Sequence, residues 1–509
     1  MWRDMSAQAG YEMPKGSGNH VFYTQGLWLA GQQAGSGSLS TAGVMYRSSG
    51  SDFFPGPLDS LGNVSDSTCS AFDGVYAMTK TEVDSQIAGV STSYHVRIWP
   101  GRGNPITGMP LQDLAPFIDV NGDGIYNSAD GDYPVIKGDK ALWFVYNDRG
   151  NLHTETLGEQ IGVEVHVMAY AYTGTGHENN TTFYDYTIFN KGVSMSNFYM
   201  GLFTDVDLGN SLDDFIGCDS TRGIGYVYNS SSSDLHYGIN PPAAGVKTVV
   251  NPHVNSNIGM SLSKFTYFNN SFGNQGSPAF SLHFYNYLRG YWKDGSPFVQ
   301  GGSAHISHPA ADSTSPVNFV YPGIPSDNSQ WSECQSGQTG GDRRMLMSYG
   351  PMDFVPGDTL RFTSAALYSR DQNSPAGCGN QIPGLLHVSD LVQEYHDSIT
   401  DCGLFNPQYQ ISFAHPDAGL SNGSIEVSFT GNAPEYFWSG NLGSSPTLTG
   451  LDTGLYKLVM HNDKNCYDIV NIALEEPSGI SNVSPLEFRL FPNPAGEKTR
   501  IELSDTEIQ

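Results

Sequence analysis

Three consecutive segments with a period of two most constrain the fold of this chain. They are Ala141–Asp148, Ile161–Tyr170 and Thr181–Phe189, which contain most of the large apolar residues of this region. A period of two places alternate side chains on opposite faces of a strand. Three such strands in succession predict an antiparallel sheet of sandwich type. We therefore expect a mostly β fold, with a large antiparallel β-sandwich-type domain with long loops over residues 1–400.

Other parts of this domain carry weaker signals. Further strands are predicted at Asn19–Tyr23, Gly26–Gly31, Ser93–Trp99 and Leu360–Tyr368. The single predicted helix covers Ser389–Asp397, because Ser389 can cap it and its apolar residues have helical spacing. Residues 224–330 are rich in Asn, Ser, Tyr and Phe and poor in charge. We expect that segment to be a loop-heavy insertion over the sheet.

Composition supports a β fold and excludes one class of partner. The chain has 59 Gly, 28 Tyr and 26 Phe among 509 residues, and only 15% of its residues are charged. This balance favours strands joined by Gly-rich turns over a large helical protein. The formal net charge is −27. No nucleic acid is expected as a partner, because the sequence offers no Lys/Arg cluster to neutralise phosphates.

The sequence contains no candidate membrane span. No apolar run approaches the roughly 20 residues that a membrane helix requires. The N-terminus, Met1–Asp4, also lacks the basic start and apolar core of a signal peptide. Two alternatives remain: a cytosolic protein, or a chain whose true start lies upstream of Met1.

Six cysteines are present, at positions 69, 218, 334, 378, 402 and 466. Since none forms a CxxC pair, a structural zinc site is not expected. Six cysteines allow fifteen disulfide connectivities. Cys402 and Cys466 bracket one predicted module, so this pair is the first candidate.

An acidic segment has the spacing of a calcium loop. Counted from Asp119, side-chain oxygens occupy positions 1, 3, 5 and 12, and Gly124 stands at position 6. The predicted calcium ligands are Asp119, Asn121, Asp123, Ile125 through its carbonyl oxygen, Asp130, and Asp132 as an additional ligand. Asp130 replaces the usual Glu and has a shorter reach. The alternative is an Asp/Asn/Gly-rich surface turn without an ion.

The loop does not predict a complete EF-hand. An EF-hand has flanking helices, whereas Pro134 blocks helix continuation after the loop and a strand is predicted at Leu142. We therefore expect an EF-like loop within a β protein, where Ca²⁺ stabilises the fold and does not act as a signal.

A second acidic cluster follows a predicted strand end. It contains Asp205, Asp207, Asn210, Asp213, Asp214 and Asp219. Carboxylates this close repel unless a cation or a basic group lies among them. One interpretation is a second metal site formed by Asp205, Asp207, Asp213 and Asp214. The other is a solvated acidic loop held by Arg222.

The search for catalytic motifs is mostly negative. The sequence has no HExxH and no GxSxG motif. A metalloenzyme site is one interpretation of four residues that lie close in sequence, His153, Glu155, Glu159 and His166. The favoured interpretation is that they are ordinary polar residues at the surface. Trp292 and Trp331 could stack on sugar rings, although such residues more often anchor the core or a loop.

Residues 403–477 predict a separate module. Strands are expected at Asn422–Phe429, Tyr436–Ser439, Gly454–Met460 and Tyr467–Leu474, with glycine-containing turns between them. This spacing predicts a small immunoglobulin-like β-sandwich. A polar linker at 478–487 follows it.

The last segment, 488–509, resembles the start of a type A C-terminal sorting domain of the Bacteroidetes type IX secretion system. The resemblance rests on Phe491–Ala495 and on Lys498–Leu503 as a first strand. It covers about 25 residues, and the family's domain continues further, so the chain is expected to be truncated at Gln509. The resemblance implies the type IX secretion machinery as a partner and a signal peptide lost upstream of Met1.

The preceding module resembles the repeat of gliding-type, SprB-like surface adhesins. The resembling residues are Gly419–Ile425, Tyr436–Ser439, Leu448–Tyr456 and Asn465–Cys466. Members often have a cysteine where this chain has Ala418, which leaves Cys402 as the substitute partner of Cys466.

The large domain is similar to the N-terminal region of such secreted proteins. That similarity rests on Gly26–Trp28, Phe54–Pro57, Asp119–Pro134, Asp205–Gly209 with Asp213–Asp214, and Gly341–Arg344.

These observations predict a secreted or cell-surface, calcium-stabilised structural or adhesin-like protein. A glycan or a protein at the cell surface is the expected ligand. The alternative is a secreted hydrolase that acts on polysaccharide or peptide, with the immunoglobulin-like module as an accessory.

Overall fold

A computed structural model describes residues 10–46, 49–255, 257–400, 407–430, 433–438, 442–461 and 467–475. The protein is mostly β, with 39% strand and 12% helix, as the strand periodicity predicts. It divides into two compact units, Met1–Thr81 with Tyr94–Asp397, and Glu82–Ser93 with Ser398–Gln509. Each unit is described separately.

The first unit contains two large antiparallel sheets. Its strands are β1 Tyr11–Glu12, β2 His20–Gln33, β3 Leu39–Gly43, β4 Phe54–Pro55, β5 Tyr76–Thr79, β6 Phe117–Ile118, β7 Tyr133–Pro134, β8 Lys140–Asn147, β9 Val163–Ala171, β10 Thr182–Asn190, β11 Met195–Val206, β12 Asp214–Asp219, β13 Ile224–Asn229, β14 Ser233–Asp234, β15 Gly238–Ile239, β16 Ala243–Val254, β17 Lys264–Asn269, β18 Val299–Gln300, β19 Asp312–Pro316, β20 Arg343–Phe354 and β21 Thr359–Ser369.

The six-stranded sheet has the order β1-β2-β11-β20-β17, with β3 beside β2. The nine-stranded sheet has the order β12-β13-β16-β21-β10-β9-β8-β4, with β5 beside β8. The three consecutive segments with a period of two form β8, β9 and β10, which are adjacent and antiparallel. This part of the prediction is confirmed.

The two sheets pack face to face around one core. Gly225 on β13 allows their close approach, since a Cβ atom there would lie 2.7 Å from Phe265 Cε2 and 3.3 Å from Met345 Sδ of the other sheet. Thr248 Oγ1 and the Tyr349 hydroxyl also form a hydrogen bond of 2.9 Å between the sheets. The core is therefore a sandwich interior between the facing sides of the two sheets, and strands such as β9 and β13 are buried at nearly every position.

The helices of the described residues are short except for the last. They are α1 Asp66–Ala71, α2 Lys80–Ile87, α3 Tyr94–Arg97, α4 Ser281–Arg289 and α5 Ile382–Thr400, and there are 3-10 turns at Ser128–Asp130, His177–Asn180 and Glu333–Gln335. The predicted helix at Ser389–Asp397 lies within α5 and is confirmed. The expectation of a single helix is wrong. None of the described helices has the length and apolar character needed to cross a bilayer.

Two local predictions are wrong. Ser93–Trp99 contains the helical turn α3 in place of a strand, because Val96 and Trp99, three positions apart, are both fully buried. Residues 224–330 are not a loop-heavy insertion, since they supply β13 and β16 to the nine-stranded sheet and β17 to the six-stranded sheet. Helix α4 in the same segment packs its Phe284 ring against Trp28, with ring centroids 4.5 Å apart.

The second unit contains a small two-sheet sandwich. Its strands are β22 Tyr409–Ala414, β23 Gly423–Phe429, β24 Glu435–Trp438, β25 Thr447–Leu451, β26 Gly454–His461 and β27 Tyr467–Leu474. They form sheets of order β22-β23-β25 and β24-β26-β27. Trp438 is buried in the core between them, and its indole N–H donates to the Ser445 carbonyl at 2.8 Å. All four predicted strands are confirmed.

One disulfide links Cys334 and Cys378. Sequence reasoning did not single out this pair. The candidate pair Cys402–Cys466, the linker and the segment similar to a sorting domain lie outside the described residues.

Candidate functional site: two acidic clusters

The predicted calcium loop is closed at its base by a two-residue ladder. Strands β6 and β7 pair with Phe117 opposite Pro134 and Ile118 opposite Tyr133. Between them the chain makes tight turns, in which Gly122 and Gly124 have φ angles of 76° and 77°. A residue with a side chain rarely adopts such angles, so the glycine at position 6 has the conformational role that the motif predicts.

The first half of the loop turns its backbone N–H groups toward its acidic side chains. Asp119 accepts from Gly122 N–H through Oδ1 and from Gly124 N–H through Oδ2, both at 2.7 Å. Asp123 Oδ1 accepts from Ile125 N–H at 2.8 Å, and Asn121 Oδ1 accepts from Asp123 N–H at 3.0 Å. These bonds fix the oxygens in a compact arc, and each oxygen keeps further acceptor capacity.

The second half of the loop contains one exposed and one buried acid. Asp130 is exposed and accepts from Asn127 Nδ2 at 2.7 Å. Asp132 is fully buried and accepts from Val120 N–H and Asn127 N–H, each at 2.8 Å. Burial, together with the charges of Asp119 and Asp123, raises the pKa of Asp132.

The loop offers oxygen atoms, which are the ligand atoms that a hard cation prefers. Its side-chain donors are oxygens, and Asp119 and Asp123 form no ion pair with a basic residue in the described part of the chain. The loop carboxylates do not converge on one point. No three of them have oxygens within 4.8 Å of one another. Ca²⁺ accepts six to eight oxygen ligands, including carbonyls and waters, and the side chains of the loop offer ligand atoms of this kind.

The second cluster is formed by Asp205, Asp207 and Asp342. One oxygen of each lies within 4.8 Å of the others. Asp205 and Asp207 stand at the end of β11 and just beyond it, and Asp342 directly precedes β20, which pairs with β11 in this sheet. Strand pairing therefore brings together acids that are far apart in sequence.

Arg344 lies inside this cluster. Its Nη1 is 2.7 Å from Asp342 Oδ1, and its Nε is 3.3 Å from Asp205 Oδ1. Arg344 Nε also donates to the Tyr46 hydroxyl at 2.9 Å, and that hydroxyl donates to Asp205 Oδ2. Arg344 thus supplies positive charge to two of the three acids, and the three carboxylates together have a spacing that could hold a metal ion.

Burial leaves this cluster close to its titration range at neutral pH. It raises the pKa of Asp205 to about 8, although Arg344 acts in the opposite direction. Burial and the charge of Asp342 raise the pKa of Asp207 to about 7. The cluster can therefore gain or lose a proton near neutrality, which changes its net charge.

The other predicted members of this cluster have separate partners. Asp213 Oδ1 accepts from Asn229 Nδ2 at 3.0 Å, and the buried Asp214 accepts from Leu208 N–H at 3.2 Å. Arg222 pairs with Asp219 at 2.7 Å and with Asp390 at 2.8 Å. Arg222 therefore holds one acid of the predicted loop, while Arg344 is the base beside Asp205. Sequence reasoning missed Arg344, Asp342 and Tyr46 as members of this site.

The residues weighed as a metalloenzyme site are not assembled into one. His153 is buried, with its ring nitrogens 2.7 Å from the Thr41 carbonyl and 2.8 Å from the Asp148 carbonyl. His166 Nε2 contacts Glu164 Oε1 at 2.8 Å instead. Within the described residues, these histidines and their neighbouring acids form no cluster with metal-ligand spacing.

The two tryptophans considered for sugar stacking are loop anchors. Trp292 is fully buried and donates its indole N–H to the Ala304 carbonyl at 2.8 Å. Trp331 is half-buried and donates to the Gly302 carbonyl at 3.3 Å.

Comparisons with known proteins add no family. No protein-family model and no curated protein matches the chain. Among solved structures, a polysaccharide lyase is similar with 7% sequence identity and a TM-score of 0.19, over 62% of this chain and 34% of the lyase. The chain thus spans about a third of that enzyme's length, and a similarity of this size assigns neither fold family nor activity.

Proposed function

We propose that this protein is a calcium-stabilised, secreted or cell-surface β-sandwich protein that acts by binding, as adhesins do. The Asp119–Asp132 loop is the observation that carries the proposal. Its glycines adopt the required φ angles, its backbone N–H groups orient the acidic oxygens, and a β ladder clamps its ends. Bound calcium would neutralise the repulsion among these acids and hold the loop in one geometry.

Asp119, Asn121 and Asp123 would hold the ion from one side of the loop, and Asp130 from the other. The carbonyl of Ile125 would add a backbone oxygen. Asp132 is the least accessible of the predicted ligands, because its side chain is fully buried while those of Asp119, Asp123 and Asp130 are at least partly exposed. Its first role is to close the loop, and this role does not require the ion.

The location rests on the sequence. The segments that resemble a type IX sorting domain, Phe491–Ala495 and Lys498–Leu503, imply export through that machinery. Extracellular calcium sites bind weakly, with dissociation constants of about 10⁻⁴ to 10⁻³ M. Position 12 of the loop holds Asp130, whose side chain is shorter than that of the usual Glu. The shorter side chain is compatible with a weak site in a calcium-rich environment.

Thermal unfolding tests the proposal. The midpoint should be higher in millimolar calcium than in a chelator, because a ligand that binds only the folded state stabilises it by about 0.4 to 1.4 kcal/mol at 1 to 10 times its dissociation constant. Asp119→Asn should remove most of this calcium response. The matched control is Asp73→Asn, which removes one charge at an exposed position outside the loop. An unchanged wild-type midpoint would overturn the calcium assignment.

A further inference from the structure

A groove lies on the outer face of the nine-stranded sheet, on the side away from the sandwich core. It has a volume of about 320 Å³, which is at the lower end of the range for small-ligand sites. Strands β8, β9, β10 and β21 form its floor. One wall is the chain on either side of the calcium loop, at Leu114–Pro116 and Val135–Lys137.

The floor of the groove is mainly apolar and held in place. Trp143, Met168 and Phe189 line it together with His166. The His166 ring packs edge-on against Trp143 at 5.4 Å and against Phe189 at 5.0 Å, and its Nε2 is bound to Glu164. Trp143 and His166 are buried, whereas Phe189 is half-buried and its ring is held by His166. A flat ring can therefore lie against a Phe189 ring whose position is already fixed, which lowers the entropy cost of binding.

Most ionic groups of the groove are already paired. Lys137 Nζ lies 2.5 Å from Asp185 Oδ2. Asp185 Oδ1 also accepts from the Thr363 hydroxyl at 2.8 Å and from the Tyr170 hydroxyl at 3.1 Å. Asp113, at the groove's edge, pairs with Arg102 at 3.1 Å. These acids are satisfied and leave little attraction for a further cation.

Arg361 is the exception. It is exposed on β21, opposite Thr187 of β10, and lines the groove. Among the described residues, its guanidinium forms no hydrogen bond and no ion pair. Acidic residues outnumber Lys and Arg by 51 to 24 in this chain, so an arginine without an acidic partner beside an apolar floor is unusual here. A guanidinium binds a carboxylate through two parallel hydrogen bonds.

We propose that this groove binds a small carboxylate carried on a ring-shaped body, with Arg361 holding the carboxylate and the half-buried Phe189 ring contacting the ring of the ligand. Two sources share this chemistry, a sugar acid and an aromatic acid. The inference rests on the proposed function as a binding protein, because it names a ligand class for it. It does not require the calcium loop to be occupied.

Calorimetric titration with four probes tests the site. The sugar arm compares glucuronic acid with glucose, and the aromatic arm compares benzoate with benzyl alcohol. We expect one acid to bind and its neutral counterpart to bind at least about tenfold more weakly, because the charged hydrogen bonds are lost. The arm that binds identifies the source.

Variants locate the site. Arg361→Gln should weaken binding of the acid by about tenfold or more. Arg361→Lys should give an intermediate affinity, because lysine keeps the positive charge but lacks the two parallel N–H donors of a guanidinium. Arg97→Gln, at an exposed arginine outside the groove, should leave affinity unchanged. Circular dichroism checks that each variant is folded.

Three results would overturn the inference: neither acid binds, the neutral probes bind equally well, or Arg361→Gln has no effect. Each titration is repeated in calcium and in chelator, beside the thermal midpoint. A midpoint that responds to calcium while no acid binds would reject the groove alone. A midpoint without a calcium response would reject the calcium assignment, whatever the groove binds.

Discussion

The N–H of Val120 donates to Asp132 Oδ1 at 2.8 Å, so the last acid of the calcium loop closes onto its first turn. Asp132 is fully buried, and its other oxygen accepts from Asn127 N–H. This contact does not require a bound ion. Asp119 and Asp123 also accept backbone N–H groups, but they are at least partly exposed, whereas Asp132 is fully buried. Under the proposal, Asp119 and Asp123 hold the ion, and Asp132 holds the backbone alone.

Asp132→Ala should destabilise the protein with and without calcium. The substitution leaves two N–H groups without an acceptor, at a cost on the order of 2 kcal/mol. Asp119→Asn should lower stability mainly in calcium. Urea unfolding of both variants, in calcium and in chelator, measures the difference. Equal calcium responses in the two variants would argue against this division of roles.

The cluster of Asp205 and Asp207 should make stability depend on pH near neutrality. Burial raises both pKa values above those of an unfolded chain, to about 8 and about 7. The folded state therefore binds protons more tightly, and stability falls as pH rises between about 4 and 8. Each unit of pKa difference corresponds to about 1.4 kcal/mol.

Asp207→Asn tests that dependence. The variant should unfold at a higher temperature than the wild type at about pH 8.5, and the gap should narrow as the pH falls below about 7 and close at about pH 4. Asp73→Asn is the control for loss of one exposed negative charge. If the variant and the wild type lose stability equally across this range, Asp207 is not the titrating group. A rise in wild-type stability with calcium that Asp207→Asn removes would instead indicate a second metal site.

Arg344→Gln should destabilise the first unit strongly. It leaves the carboxylates of Asp205 and Asp342 without their cation, and breaking a buried pair in this way costs about 3–5 kcal/mol. The loss should be partly recovered in the double variant with Asp205→Asn, since that removes one of the acids left without its cation. Additive losses in the double-mutant cycle would show that the two residues are not coupled.

Gly225→Ala tests the close approach of the two sheets. The added methyl group would lie 2.7 Å from Phe265 Cε2, so the sheets must separate locally, at a cost of about 1–3 kcal/mol. Gly74→Ala is the matched control, because a Cβ there would meet nothing within 4 Å. Denaturant unfolding of both variants gives the comparison. A loss as small as that of the control would mean that the sheets pack less tightly than described.

Strands with a local signal could be predicted from sequence. The period of two in β8, β9 and β10 encodes which face is buried, and the turns between them set their order. Ser93–Trp99 also looks like a strand, but tertiary burial of Val96 and Trp99 selects a helical turn. Helix α4 was missed because its segment, Ser281–Arg289, is aromatic and polar and has no acidic residue in its first turn.

The two candidate sites also differ in whether their residues are contiguous in sequence. The calcium loop is contiguous, so its glycines and acids could be recognised from their spacing. The second cluster depends on pairing between β11 and β20, which places Asp342 and Arg344 beside Asp205. No local pattern contains that information. The sequence therefore indicated Asp205 and Asp207 but assigned Arg222, the nearest base in the chain, as their alternative partner.

Calcium content is the most direct test of the central claim. Wild-type protein and the double variant Asp119→Asn/Asp123→Asn are equilibrated in calcium and assayed by elemental analysis against the dialysis buffer. We expect about one bound calcium ion per chain in the wild type and close to none in the double variant. No bound calcium in the wild type, or equal amounts in both proteins, would contradict it.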